Sequence, residues 1–445
     1  MRYATIVALG AMVLMPGVCP AGVLVPDQGP VVLELNPALA SQPVQEESGW
    51  SDFAPSTSSS DTPSLESPSS DTSSSDEATS AKAATTDEAA RSTPPAPPQP
   101  VPLTDELKTL GPVVRRTISG YFQQPLNTGN NTATDLLQLC MAFGCDAEVR
   151  RGAPSGQRLN AFTCLCWNYP CNGREMLRIC DDHVAAGVGY GFQQYPGQFL
   201  AVLGFSRVPE DYTLRVGDDS RTVMNLVEFE KRNCRSGEDN SFRLIGLARY
   251  LESDETWQDD LGETWSIERL VEEELSRPAQ AEPAGGTFRL LALSYAVDRR
   301  IKREEPIDGQ FERAKRHLDE FAQFALDVQN PDGTWHPEFF AFQGNAGSAV
   351  DQLRSTGHIL RWLAFWLSDE QLRDPRVVRG VTRLTQLLNE QQRTRLSLPA
   401  ASSREIAARL AAVHALVLYD QRVFVPHDER QMDDNAAKDD VASSK

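Results

Sequence analysis

Five segments of this chain repeat one apolar pattern: Phe199-Leu-Ala-Val-Leu-Gly, Phe242-Arg-Leu-Ile-Gly-Leu-Ala, Phe288-Arg-Leu-Leu-Ala-Leu-Ser, Leu360-Arg-Trp-Leu-Ala-Phe-Trp and Ala408-Arg-Leu-Ala-Ala-Val-His. They begin at residues 199, 242, 288, 360 and 408, hence 43, 46, 72 and 48 positions apart. A period of that size belongs to stacked or ringed helical hairpins. Each segment is apolar nearly all the way round, so as a helix it must be packed on several sides. Between them run charged amphipathic segments, Thr222 to Cys234, Ser266 to Leu275, Phe311 to Val328 and Val377 to Gln391. In the third, Phe311, Ala314, Leu318, Phe321, Ala325 and Val328 recur at three- and four-residue steps, one stripe of a 3.6-residue helix. The expectation is an all-α domain in which apolar inner helices alternate with amphipathic outer ones. Pro278, Pro283 and Gly285-Gly286 break the chain before the third inner helix. A further helix is expected over Thr134 to Phe143, and the one strand candidate, Tyr212 to Val216, is short.

The period alone suits an open solenoid as well as a closed ring. Gln329-Asn-Pro-Asp-Gly333-Thr-Trp335, which follows the third amphipathic segment and precedes the apolar run Ile359 to Leu367, fits Q-x-x-x-G-x-W. It resembles the turn that joins outer to inner helices in the prenyltransferase and squalene (terpene) cyclase superfamily of α/α toroids. The resemblance implies that Gln329 caps the end of an outer helix, that Trp335 packs across it, and that Gly333 allows the tight turn. It also implies an α/α toroid of about five or six hairpins over residues 102–426.

The catalytic motifs of that superfamily are not carried by this chain. Hopene-type cyclases use Asp-x-Asp-Asp, in which neighbouring carboxylates keep one acid protonated, and no such run occurs here. Asp259-Asp260-Leu-Gly-Glu263 is similar to an Asp-rich diphosphate-binding run, yet it lies in a Gly-containing segment between helices and reads as a solvated loop. Protein prenyltransferases bind zinc through an Asp, a Cys two residues later, and a His at the head of an inner helix. Thr356-Gly357-His358 resembles the His-bearing helix, but Leu353 stands two residues after Asp351 where the Cys belongs. The complement-type thioester Cys-Gly-Glu-Gln is also missing. No cofactor and no metal is therefore expected.

The ends of the chain differ in composition from its middle. Ala4 to Leu14 is an apolar run after Arg2, followed by Pro16-Gly17 and Cys19-Pro20-Ala21, which reads as a signal peptide over residues 1–21. The expected location is exported, periplasmic or extracellular. Residues 22–101 read as a disordered Ser/Thr/Pro/acidic linker, since so few apolar residues cannot offset the entropy of ordering. Residues 427–445 read as an acidic disordered tail. Of the formal charge of −19, −8 falls between residues 45 and 101, where ten acidic residues face Lys82 and Arg91. That distribution argues against a nucleic-acid footprint. No segment after the first reaches the roughly 18 uncharged apolar residues of a membrane span.

Seven cysteines follow the expected cleavage point: Cys140, Cys145, Cys164, Cys166, Cys171, Cys180 and Cys234. An exported location permits disulfides, and at least one is expected within Cys140 to Cys180. Buried free thiols are the second reading. Metal binding is the third, because Cys164-x-Cys166-x4-Cys171-x8-Cys180 beside Asp181, Asp182 and His183 offers soft ligands without the paired C-x2-C knuckles of a zinc site.

In a toroid, loops entering the inner helices converge on one mouth. Polar residues on those loops are His183, Tyr190, Gln193, Gln194, Tyr195 and Gln198, then Trp335, His336, Glu338, Asp351 and His358. Two functions from different classes follow. One is a non-catalytic ring that binds a small molecule, a glycan or a protein, with Tyr190, Gln194, Tyr195, Gln198 and Trp335 as the contacts. The other is an enzyme of polysaccharide lyase or glycosidase type, with His183, His336 or His358 as base beside Glu338 or Asp351. The bland readings are that His358 and Trp335 serve helix ends and packing, and that Gly189 to Gln198 is a tight loop capping the Phe199 helix. Converging histidines with a carboxylate would favour the enzyme. A mouth filled by aromatic rings would favour the binder.

Overall fold

The structure, a computed structural model, describes residues 102–277, 283–344, 347–394 and 397–426. The expected signal peptide, linker and acidic tail lie outside those residues. The described residues are mostly helical, with short strands in the connections. The helices are α1 (Asp105–Phe122), α2 (Ala133–Phe143), α3 (Ala161–Cys166), α4 (Gln198–Phe205), α5 (Val223–Arg232), α6 (Ser241–Tyr250), α7 (Ile267–Ser276), α8 (Thr287–Lys302), α9 (Gly309–Asp327), α10 (Ala349–Trp366), α11 (Pro375–Thr394) and α12 (Ser403–Tyr419).

The five repeated segments lie on α4, α6, α8, α10 and α12. These helices are buried along most of their length, as in α4, where every residue from Gln198 to Gly204 is enclosed. The amphipathic segments lie on α5, α7, α9 and α11. In α9 the buried residues are Phe311, Ala314, Leu318, Ala322, Ala325 and Leu326, a single stripe. Each even-numbered helix packs on the next even-numbered one, and α12 packs on α2. At the crossing of α10 and α12 a Cβ on Gly357 would stand 2.9 Å from both the backbone N and the Cα of Ala412. Only a hydrogen side chain fits that crossing.

Helix starts are closed by side chains. Thr132 with Asp135, Ser348 with Asp351, and Ser402 with Glu405 form capping boxes for α2, α10 and α12, satisfying amides that have no partner inside the helix. The start of α6 is instead served by a neighbouring helix: Glu274 on α7 accepts from Asn240 N and Ser241 Oγ, each at 2.8 Å. Ser403 Oγ on α12 donates to Asp135 of α2 at 3.2 Å.

Connections hold more strand than the sequence reading allowed. The candidate at Tyr212 to Val216 is strand Thr213–Val216, paired antiparallel with Asp219–Thr222, and hairpins also join Leu177–Cys180 to His183–Ala186 and Thr256–Gln258 to Thr264–Ser266. A three-stranded sheet links 126–127, 148–150 and 158–160. Strands of two to four residues are too short for a period of two to be recognised.

The expected disulfide is not present. Cys140, Cys145, Cys164, Cys166, Cys171, Cys180 and Cys234 all stand outside disulfides. Five of them, Cys140, Cys164, Cys166, Cys171 and Cys234, are buried in the core, where a thiol behaves as a small apolar side chain. Burial pushes Cys164 up to about 11 and Cys171 and Cys234 up to about 12, so the reactive thiolate is suppressed.

Gln329 Nε2 donates to Gly333 O and to Arg376 O, both at 3.0 Å, tying the turn after α9 to the start of α11. Gly333 has φ +91°, and a Cβ there would meet Arg379 O at 2.6 Å. Trp335 is fully buried, its Nε1 donates to Ala325 O in the last turn of α9 at 2.6 Å, and its N–H donates to Thr356 Oγ1 of α10 at 3.2 Å. One residue thus fastens an amphipathic helix, through its side chain, to the following apolar helix, through its backbone N–H. Trp335→Ala is expected to cost about 3–5 kcal/mol, the range for emptying a buried tryptophan site. An unchanged chemical-denaturation midpoint for this variant of the full chain would contradict that role.

Candidate functional site

The loop 189–198 is built by its own glutamines. Gln193 Oε1 accepts from Phe199 N at 2.9 Å and its Nε2 donates to Ala186 O at 3.1 Å. Gln198 Oε1 accepts from Gln194 N and Tyr195 N at 2.8 and 3.4 Å. These amides close the start of α4 rather than face a ligand. Gln194 is exposed and donates to Tyr195 Oη at 3.2 Å. Tyr190 is 82% exposed, with the Arg174 guanidinium 5.9 Å from its ring centroid.

Tyr195 points into an aromatic cluster. Its ring lies 5.5 Å from Phe242 of α6 and 5.1 Å from Phe288 of α8, and those two are 5.0 Å apart. The His358 ring of α10 stands edge-on to Phe288 at 5.2 Å and to Phe339 at 6.1 Å. Such spacings are the favoured offset and edge-to-face geometries. The side chains that gather here belong to the loop before α4, to α6, α8 and α10, and to the connection after Trp335.

The other predicted residues are held separately. His336 Nδ1 accepts from Glu338 N at 3.1 Å, and its ring packs on Phe342 at 4.4 Å. Glu338 is exposed. Asp351 belongs to the α10 capping box and meets Arg404 Nη2 at 2.5 Å; its bonds to Ser348 first, then Arg404, hold its carboxyl below the usual range. His183 Nε2 lies 3.1 Å from Arg232 Nη1 at the end of α5. The geometry brings Tyr195 and His358 together through Phe288. It gives His183, His336 and His358 three different sets of partners. Among the described residues no group of three or more His, Cys, Asp or Glu is arranged to hold a metal ion.

Beneath the aromatic cluster lie basic groups that the sequence reading did not single out. Arg361 is 1% exposed; its Nη2 is 3.2 Å from His358 Nδ1 and its guanidinium lies 5.4 Å from the Phe288 centroid. Arg354 lies over Phe339 at 5.1 Å. His414 of α12 is buried beside them. A signal was present: the second residue of four of the five repeated segments is arginine, giving Arg243, Arg289, Arg361 and Arg409, all buried. Arg243 is neutralised by Glu230 of α5, Nε to Oε2 3.0 Å. Among the described residues Arg361 has no such carboxylate, and burial lowers it to about 10.

Burial, followed by the positive charge of Arg361, holds both inner-helix imidazoles neutral. His358 is pushed well below its usual value and His414 down to about 3. A base that weak is poorly matched to proton abstraction near neutral pH.

A groove of about 520 Å³ lies elsewhere, between α9 and the connection from α10 to α11, with Lys315, Asp319, Trp366 and Arg376 in its walls. None of the predicted site residues lines it.

No family model, curated protein or solved structure matches the chain.

The neutral imidazoles have a measurable consequence. The folded pKa of His414, about 3, is below the unfolded value of 6.5, so between those values the unfolded chain binds a proton that the folded chain does not. Stability is therefore lost as pH falls through that window, by about 1.4 kcal/mol per pH unit for one such group. Urea titrations between pH 7 and 4 are expected to show this acid loss, with a slope shallower by about that amount in His414→Leu. An identical slope in the variant overturns the assignment.

Proposed function

We propose that the protein is an exported binding scaffold: an α/α toroid of six hairpins, resembling the prenyltransferase and squalene cyclase type without its chemistry. The ligand or partner is met where Tyr195, Phe242, Phe288 and Phe339 gather. Closure into a ring is supported by the succession of neighbours α2, α4, α6, α8, α10, α12 and again α2, and by the hydrogen bond from Ser403 to Asp135. The export half of the reading rests on the composition of residues 1–21 alone.

The observation that carries the binding reading is the filling of this region by packed rings around a neutral His358. A lyase or glycosidase needs a base and an acidic or charge-neutralising partner converging on one space. Here His183 faces Arg232, His336 faces Phe342, and His358 faces Phe288 and Arg361, while Asp351 is committed to a helix cap and Arg404.

The test uses the full chain with oligosaccharides and prenyl diphosphates, following thermal stability and product formation together. The expected result is a raised Tm for a bound compound that mass spectrometry then recovers intact. Recovery of a cleaved or cyclised product that disappears in His358→Gln would replace this reading with the enzymatic one.

A further inference from the structure

We propose that Arg361, His358 and His414 form a binding site for an organic monocarboxylate, whose apolar body lies against the neighbouring aromatic rings. This rests on the binding reading above and names the chemistry of the ligand. Arg354, His358 and Arg361 occupy positions i, i+4 and i+7 of α10 and so share one face. From α12, His414 joins the same neighbourhood.

The polar accounting there is incomplete. Arg361 Nε, Arg354 Nε and His414 Nδ1 are enclosed without a hydrogen-bond partner, although Arg361 and His414 are 1% and 7% exposed. An enclosed guanidinium without a counter-charge is strongly disfavoured. The same fold shows the usual remedy one repeat earlier, where Glu230 pairs with Arg243. Among the described residues no carboxylate stands within salt-bridge distance of Arg361, whose polar contact is the His358 ring.

Charge and shape select the ligand class. With both imidazoles neutral, the fully enclosed positive charge is that of Arg361, Arg354 being only partly buried, and a monoanion balances it. The planar guanidinium fork matches a carboxylate in charge-assisted hydrogen bonds, and the unpartnered His414 Nδ1 donates a further one in the tautomer that carries its proton there. Phe288 lies under the guanidinium, and Tyr195, half-buried at the edge of the cluster, marks the approach.

The probes are benzoate and acetate, with chloride and inorganic phosphate at matched ionic strength, added to the full chain. Benzoate is expected to raise Tm saturably, by about 4 °C at a hundredfold excess over Kd, more strongly than acetate, and not in Arg361→Leu. Histidine NMR of the unaltered protein reads the site without a variant: benzoate is expected to shift the His358 and His414 imidazole signals and leave those of His183 and His336 in place. Equal effects of chloride, a response to phosphate alone, an undiminished response in Arg361→Leu, or unmoved His358 and His414 signals each overturn the proposal. Conversion of an oligosaccharide or prenyl diphosphate would count against the scaffold reading and leave this result standing or falling by itself.

Discussion

A helix such as α10 has no side that tolerates water: Leu353 and every residue from Ser355 to Ala364 are enclosed. Apolar surface of that extent is stable only when covered all round. Two inner neighbours and an outer helix provide the cover, and the outer helix needs only one apolar stripe to do so. The close crossing at Gly357 and Ala412, the capping box at the buried start of α2, and the clamp of Trp335 between α9 and α10 all answer the same requirement. Backbone amides brought inside must be partnered there. Where no local side chain caps the helix, as at α6, a carboxylate is lent by the adjacent outer helix.

The same enclosure governs the electrostatics. Burial lowers the affinity of His358 and His414 for protons and drives the core thiols upward, because both charged forms lose the hydration that stabilises them in water. Groups that would be reactive on a surface are made inert by their position. Arg243 and Arg361 then show how one repeat position takes two environments. The first sits against a buried glutamate. The second sits against a neutral imidazole and a phenyl ring. A repeated fold keeps the backbone position and lets the facing residue decide the chemistry.

That decision separates structural from ligand-directed features in the loop 189–198 as well. Gln193 and Gln198 are spent on backbone amides at the start of α4, whereas Tyr195 from the same loop joins the rings of α6 and α8. Composition alone, rich in Gly, Gln and Tyr, made these residues look alike. Their difference lies in which atoms each can reach once α4 and α6 are packed.

The sequence by itself determined the helices and the alternation of wholly apolar with one-striped ones, because these depend on spacings of three and four residues within a segment. It also marked the turn at Gln329, Gly333 and Trp335, where φ +91° requires glycine. Partnerships across long separations were decided only by the tertiary structure. Thr287 and His358 are 71 residues apart, Ser403 and Asp135 are 268 apart, and nothing local encodes which of the arginines meets a carboxylate. The cysteines show the same limit: their spacing permitted a disulfide, a metal or buried thiols, and in the structure five of them are separate core side chains. Local periodicity is written in the order of residues, whereas desolvation and charge pairing exist only after distant segments have been brought together.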